Sequence, residues 1–346
     1  MEDYRPSEDC TAACDTLRAV IGANAADARQ LALGSAGVLG LLASEAAGGS
    51  GLPFAVAAEV MREAGALGVD APLADTLLAA WLLDAHPKTA AIIVGTEAIT
   101  TAGEERLTSQ PVAGGFRLSG RLSRVPAASA SRWLLARTEG PAAALIDLTA
   151  DGARTTAVDA FDQGRSYDEV VLENLEIGED AVLRLTPQQA DGFRLMRRVL
   201  HAAEMLGAAQ TCFEAGKAHV STRRQFGALL SSHQSVRHQL AHDHLRLTVA
   251  ALSIAHAAAL CDENPCSDAA AIAVEVASST ASEASLAGVQ NAMQLHGALS
   301  FTWDAGLHHY LRRVQRLGQL HDTWTARADL GRLLWGSPLP QEAPPA

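Results

Sequence analysis

From Leu195 to Gly216, the residues Leu195, Val199, Ala202, Leu206, Ala209, Phe213 and Gly216 recur at steps of 4, 3, 4, 3, 4 and 3. That seam fits one face of a long α-helix and little else; it calls for partner helices. A second face follows in Val236, Leu240, Leu247, Ile254 and Ala258. A third helix, rich in Ala and Ser, runs from about Ser267 to Leu295, where small side chains permit close approach. Residues 186–336 therefore read as a C-terminal four-helix bundle.

Upstream the pattern changes twice. Residues 1–87 read as a helical domain: Val56, Val60, Ala64 and Leu67 keep helical spacing after a Gly-rich stretch between Leu39 and Leu52. No Lys-Ser/Thr follows those glycines and no strand precedes them, so they mark a turn rather than a phosphate loop. Residues 88–185 carry short β-type runs at 91–94, 116–118, 133–137, 143–148, 155–158 and 169–172. Regular turn spacing predicts a compact middle β-barrel or sandwich. The stretch 337–346 holds four of the 13 prolines and is expected to be a disordered tail. The predicted class is mostly α with a central β-domain.

Composition narrows the partners. The 346 residues carry a net charge of -12, which argues against nucleic acid or anionic membrane. The apolar stretch Val249–Leu260 falls short of the roughly 20 residues a bilayer span needs, and no basic start with an apolar run opens the chain. Five cysteines, at 10, 14, 212, 261 and 266, lack zinc-ligand spacing, so no metal is expected. Reduced thiols in a cytoplasmic protein are the expectation.

The chemistry-bearing segments are Arg223-Arg224-Gln225-Phe226-Gly227, His233-Gln234 and Gln294-Leu295-His296-Gly297, read as lying on two long helices. Arg offers a planar fork to phosphate, Phe a flat apolar surface, Gln an amide for an adenine edge, and Gly a close backbone approach. In this order they resemble the C-terminal domain of acyl-CoA dehydrogenases. Phe301-Thr302-Trp303 and Tyr310-Leu311-Arg312-Arg313 extend the resemblance, and Gly114 to Gly120 and Glu169 to Leu175 resemble that family's middle domain. The resemblance implies the family's fold of N-terminal helices, middle β-barrel and C-terminal bundle. It also implies FAD held across a subunit interface by Arg223, Phe226, His233, Gln234, Gln294 and Gly297, an acyl-CoA substrate, and electron-transferring flavoprotein as acceptor. The reaction implied is α,β-desaturation, in which a Glu takes the α proton and the flavin the β hydride.

The departures from the family pattern are specific. One family position for the Glu, about seven turns before the motif arginine, is Arg197 here, which has no acceptor lone pair. The other lies at Leu320-His321-Asp322-Thr323, leaving His321 and Asp322 as surrogate candidates. Glu204, two turns beyond Arg197, is expected to face solvent or a partner helix. The family's "T-E-P-x-x-G-S-D" loop is not found after Gly95-Thr96-Glu97, and its Trp and flavin-facing hydroxyl are Arg124 and Pro126. The second Gly of "H-G-G" is Ala298. Residues that reach a neighbour's cofactor are present, while those that cover the chain's own flavin are not. This asymmetry resembles the non-catalytic subunit of actinobacterial α2β2 dehydrogenases acting on steroid side-chain CoA thioesters. Two alternatives stay open: a self-sufficient homo-oligomer with a displaced base, and a scaffold that has lost flavin.

Overall fold

The computed structural model describes residues 7–139, 142–320 and 330–331. His321, Asp322 and the stretch 337–346 lie outside the described residues.

Five helices open the chain: α1 (Glu8–Ala23), α2 (Arg29–Ser35), α3 (Phe54–Leu67), α4 (Leu73–Leu82) and α5 (Thr89–Ile93). Ser7 caps α1 by accepting from the Cys10 N–H, and Gly68, at φ 64°, ends α3 in a left-handed turn. α5 occupies the place where the sequence predicts a strand at 91–94. Four apolar residues suit either period, and here they close against α2: a Cβ on Gly34 would lie 2.2 Å from the Val94 carbonyl carbon.

Seven strands follow: β1 (Ile99–Val112), β2 (Gly115–Pro126), β3 (Trp133–Thr138), β4 (Ala142–Asp147), β5 (Ala153–Ala157), β6 (Tyr167–Gly178) and β7 (Val182–Arg184). They form one sheet in the order β5-β6-β2-β1-β3-β4-β7, with β1 and β3 parallel and the other pairs antiparallel. Among the described residues β5 and β7 do not pair, so the hydrogen-bonded order is open rather than a closed ring. Leu107, Leu118, Leu122, Leu134, Ile146 and Val170 fill its core.

The chain then becomes helical through α6 (Pro187–Thr222), α7 (Gln234–Glu263), α8 (Asp268–His296) and α9 (Leu307–Leu320). Thr186 and Gln189 close a capping box on α6 with Pro187 in its first turn. The seam from Leu195 to Gly216 is buried along its whole length. α3 and α6 cross at van der Waals contact: a Cβ on Gly65 would sit 2.0 Å from the Glu204 carbonyl oxygen, and one on Gly207 1.8 Å from that of Arg62. Val249–Leu260 belongs to a 30-residue helix, α7, which by length and composition alone is long and apolar enough to cross a membrane. One side of α7, with Leu247, Ala250, Ile254 and Ala258, packs into the bundle. Leu245, Val249 and Leu252 form an exposed stripe on the other.

Glu204 does not face solvent. It is 1% exposed and bonded to Arg313 of α9 at 2.8 Å and Arg165 of the β5–β6 loop at 3.0 Å. Arg313 also pairs with Asp162 and donates to the Val69 carbonyl at 3.0 Å. Burial alone would raise the Glu204 carboxyl, but the two guanidiniums outweigh it and hold it below the usual carboxylate range. The network ties α3, the β-domain and the bundle together.

Candidate functional site

Between the β-domain and α6 lies a cavity of about 320 Å³, walled by Leu82, Leu135, Ala143, Leu185, Phe193 and Leu320. Arg197 stands in its lining, at the position where the resemblance places a catalytic Glu. Its guanidinium donates to the Ala102 carbonyl at 2.8 Å and pairs with Asp75 of α4 at 3.2 Å. Asp75 is 2% exposed and also accepts from the Thr101 hydroxyl of β1. The position is a structural ion pair that joins α4, β1 and α6, and the Arg197 side chain itself has no lone pair to accept a proton. One turn further along α6, His201 lines the same cavity; burial, then the Arg197 charge, pushes its pKa well below the usual imidazole value.

Of the remaining predicted residues in the described chain, Gln234 and Gln294 lie in the end turns of α7 and α8, while Arg223, Phe226, His233, Gly297 and Ala298 lie just outside the α-helices. Arg223 is the residue after α6. Arg224–Gln225 and Ala228–Leu229 form a two-stranded hairpin, β8 and β9, turned by Phe226 at φ 52° and Gly227 at φ 78°. Two positive φ values at a two-residue loop are the primed turn that matches strand twist, which explains the glycine. Phe226 is thrown outward, 90% exposed, with only the His233 ring edge-on at 6.3 Å. His233 and Gln234 begin α7, and Gln294 lies in the last turn of α8. Gly297 ends α8 at φ 62° and ψ -140°, with open space where a Cβ would point. Ala298 is exposed. The ends of α6 and α8 are clasped by His219 stacked on His296, ring centres 4.4 Å apart.

FAD fits this surface on two counts. The His233 Nε2 is buried without a hydrogen-bond partner, and Gly297 has the backbone freedom and open space for a close approach. The chain's own middle domain fits an isoalloxazine ring less well. Glu97 is spent on Arg132 and the Trp133 indole, both at 2.6 Å, and Pro126 presents only a carbonyl, which accepts from Thr100 at 2.6 Å.

Sequence reasoning missed Asp75, Arg194 and His201. His201 sits at i+4 from Arg197, a spacing that could have flagged it. Asp75 lies far away in sequence and carries no such signal.

A helical layer, a central sheet and a C-terminal bundle with this hairpin define the acyl-CoA dehydrogenase fold. Residues 191–319 match the family model of the acyl-CoA dehydrogenase C-terminal domain. It is 29% identical over 307 residues to acyl-CoA dehydrogenase IpdE2 of Mycobacterium tuberculosis, covering 87% of this chain and 85% of that protein. Acyl-CoA dehydrogenase FadE34 of the same organism is 28% identical across 83% of this chain, which spans 39% of that longer protein. Among solved structures, the ChsE4–ChsE5 complex from Mycobacterium tuberculosis superposes with TM-score 0.87 at 21% identity, over 97% of this chain and 100% of that one. The G363A variant of the Tcur3481–Tcur3483 steroid acyl-CoA dehydrogenase superposes with TM-score 0.81 at 25% identity, over 94% of this chain and 95% of that one.

Proposed function

We propose that this chain is the non-catalytic subunit of a heteromeric FAD-dependent acyl-CoA dehydrogenase. The observation that carries the proposal is Arg197, which stands at the base position and is tied down by Asp75 and the Ala102 carbonyl. The bundle-end residues are exposed as an interface requires. Arg223 would hold a pyrophosphate oxygen of a cofactor seated mainly on a homologous partner, Gln234 and Gln294 would offer amides to its polar edges, and Phe226 would cover its apolar face. FAD is the family's cofactor and, when bound, accepts the hydride in α,β-desaturation. The structural likeness to a two-component complex and to a steroid acyl-CoA dehydrogenase supports a homologous partner and steroid side-chain CoA thioesters as the substrate class.

The test is co-expression. The chain alone should be colourless and inactive toward acyl-CoA with an artificial acceptor. With a partner that carries the Glu, a flavin band of about one FAD per heterodimer and turnover should appear together. Flavin and activity in the chain alone would mean a self-sufficient enzyme; a complex that never binds flavin would mean a scaffold.

A further inference from the structure

If this chain carries no flavin of its own, the cavity beside Arg197 has no part in desaturation, yet it is neither collapsed nor filled by the described side chains. Its chemistry is two-sided. Leu82, Leu135, Leu185 and Phe193 supply apolar walls, while Arg137, Arg194, Arg197 and Arg198 supply basic groups, and no Asp or Glu lines it among the described residues. We propose that the cavity binds the carboxylate end of an unesterified, medium-chain apolar acid.

Arg197 is the anchor. Its partners Asp75 and Ala102 use part of a five-donor fork, and its Nε is buried with no hydrogen-bond partner. Both partners also fix the fork before any ligand arrives, so little side-chain freedom is lost on binding. Asp75 balances the Arg197 charge and Glu275 that of Arg198, so the surplus falls to Arg194, whose ion pair with Asp191 spans 3.9 Å. Arg194 lies one turn before Arg197 on the same face of α6, which lets both reach one carboxylate. A carboxylate gains charge-assisted hydrogen bonds there that a thioester or an alcohol cannot make. About 320 Å³ is at the small end of ligand cavities and suits a short tail.

Equilibrium dialysis of the full chain with labelled decanoate and labelled decan-1-ol tests this. Decanoate should bind at about one per chain and roughly tenfold more tightly than the alcohol, the factor one charge-assisted contact contributes. Arg194→Leu should weaken decanoate about tenfold, leave decanol unchanged, and keep the melting temperature, since that side chain is half-exposed and outside the core pairs. Equal affinity for acid and alcohol, no binding of decanoate, or an Arg194→Leu chain that binds decanoate as before would each overturn the proposal. The inference rests on the absence of flavin from this chain, so the flavin absorbance of each sample is read as well. A yellow chain defeats the heteromer reading, whereas a colourless chain that ignores decanoate defeats this inference alone.

Discussion

The Arg313 guanidinium of α9 meets the Glu204 carboxylate of α6 at 2.8 Å, in a place where both side chains are almost wholly withdrawn from water. Arg313→Met leaves Asp162 and half of Glu204 without a counter-charge. Breaking a buried pair from one side typically costs about 3–5 kcal/mol. Urea unfolding of the variant should show a loss of that size, and a loss below about 1 kcal/mol would show that water reaches the network.

The crossing of α3 over α6 depends on the absence of a side chain. Gly207→Ala would drive a methyl into the Arg62 carbonyl, 1.8 Å away, and should cost about 1–3 kcal/mol despite the better helix former. Gly288→Ala, whose Cβ would meet nothing nearer than 3.8 Å, should instead stabilise by up to about 1 kcal/mol. Thermal denaturation of the two variants side by side separates the effects, which should have opposite signs.

Arg197→Gln removes the charge that balances Asp75, so the folded complex should lose about 3 kcal/mol of stability. Turnover per assembled complex should stay within a few-fold, far from the roughly 10²–10⁴ that loss of a general acid or base costs. A rate loss of that larger size, with assembly intact, would assign chemistry to this position.

Arg223→Ala removes an exposed guanidinium at the bundle end and leaves the core untouched. FAD retention in the assembled complex should fall about 10- to 100-fold, the range of a lost charge-assisted contact. Unchanged flavin content after gel filtration would rule the hairpin out of cofactor binding.

His201 gives a pH dependence with a definite sign. Its folded pKa lies below the ordinary value of 6.5, so above that pH it is neutral in both folded and unfolded chains and stability is complete. As pH falls below 6.5 the unfolded chain takes up the proton first, and the folded state loses ground until the folded pKa is passed. The melting temperature should therefore drop between pH 6.5 and 5, and His201→Phe should shrink that drop. Glu204 adds a second loss at lower pH: its folded pKa lies below the ordinary 4.5, so its contribution is present above that value and fades as pH falls further.

Periodicity carried the sequence reading a long way. The 4-3 steps from Leu195 to Gly216 mark a face that is buried throughout, and the run of short β segments marks the central sheet. Where the reading fails, local pattern lacks the information. Ala91–Val94 is too short for its apolar residues to separate a helix from a strand, and the neighbouring Gly34–Val94 contact decides it. Phe226-Gly227 is a turn signal inside a segment read as part of a long helix, and the structure makes it a hairpin. The partners of Arg197 and Glu204 come from segments far away in sequence, so nothing around those residues announces that one is tied down and the other sealed in. The motif residues are legible because their chemistry is local; the geometry that disarms the cavity depends on distant contacts.

The exposed stripe on α7 bears on how such a chain can evolve. Leu245, Val249 and Leu252 are each close to half exposed or more, in a helix whose most apolar window is only 33% buried. A covered surface tolerates leucines and valines that selection would remove from a solitary protein. Once several have accumulated, no single reversion restores a surface that is comfortable in water, because the others remain. Under the proposed heteromer, dependence on a covering neighbour works as a ratchet, and a gene for this chain would be retained for as long as the neighbour is.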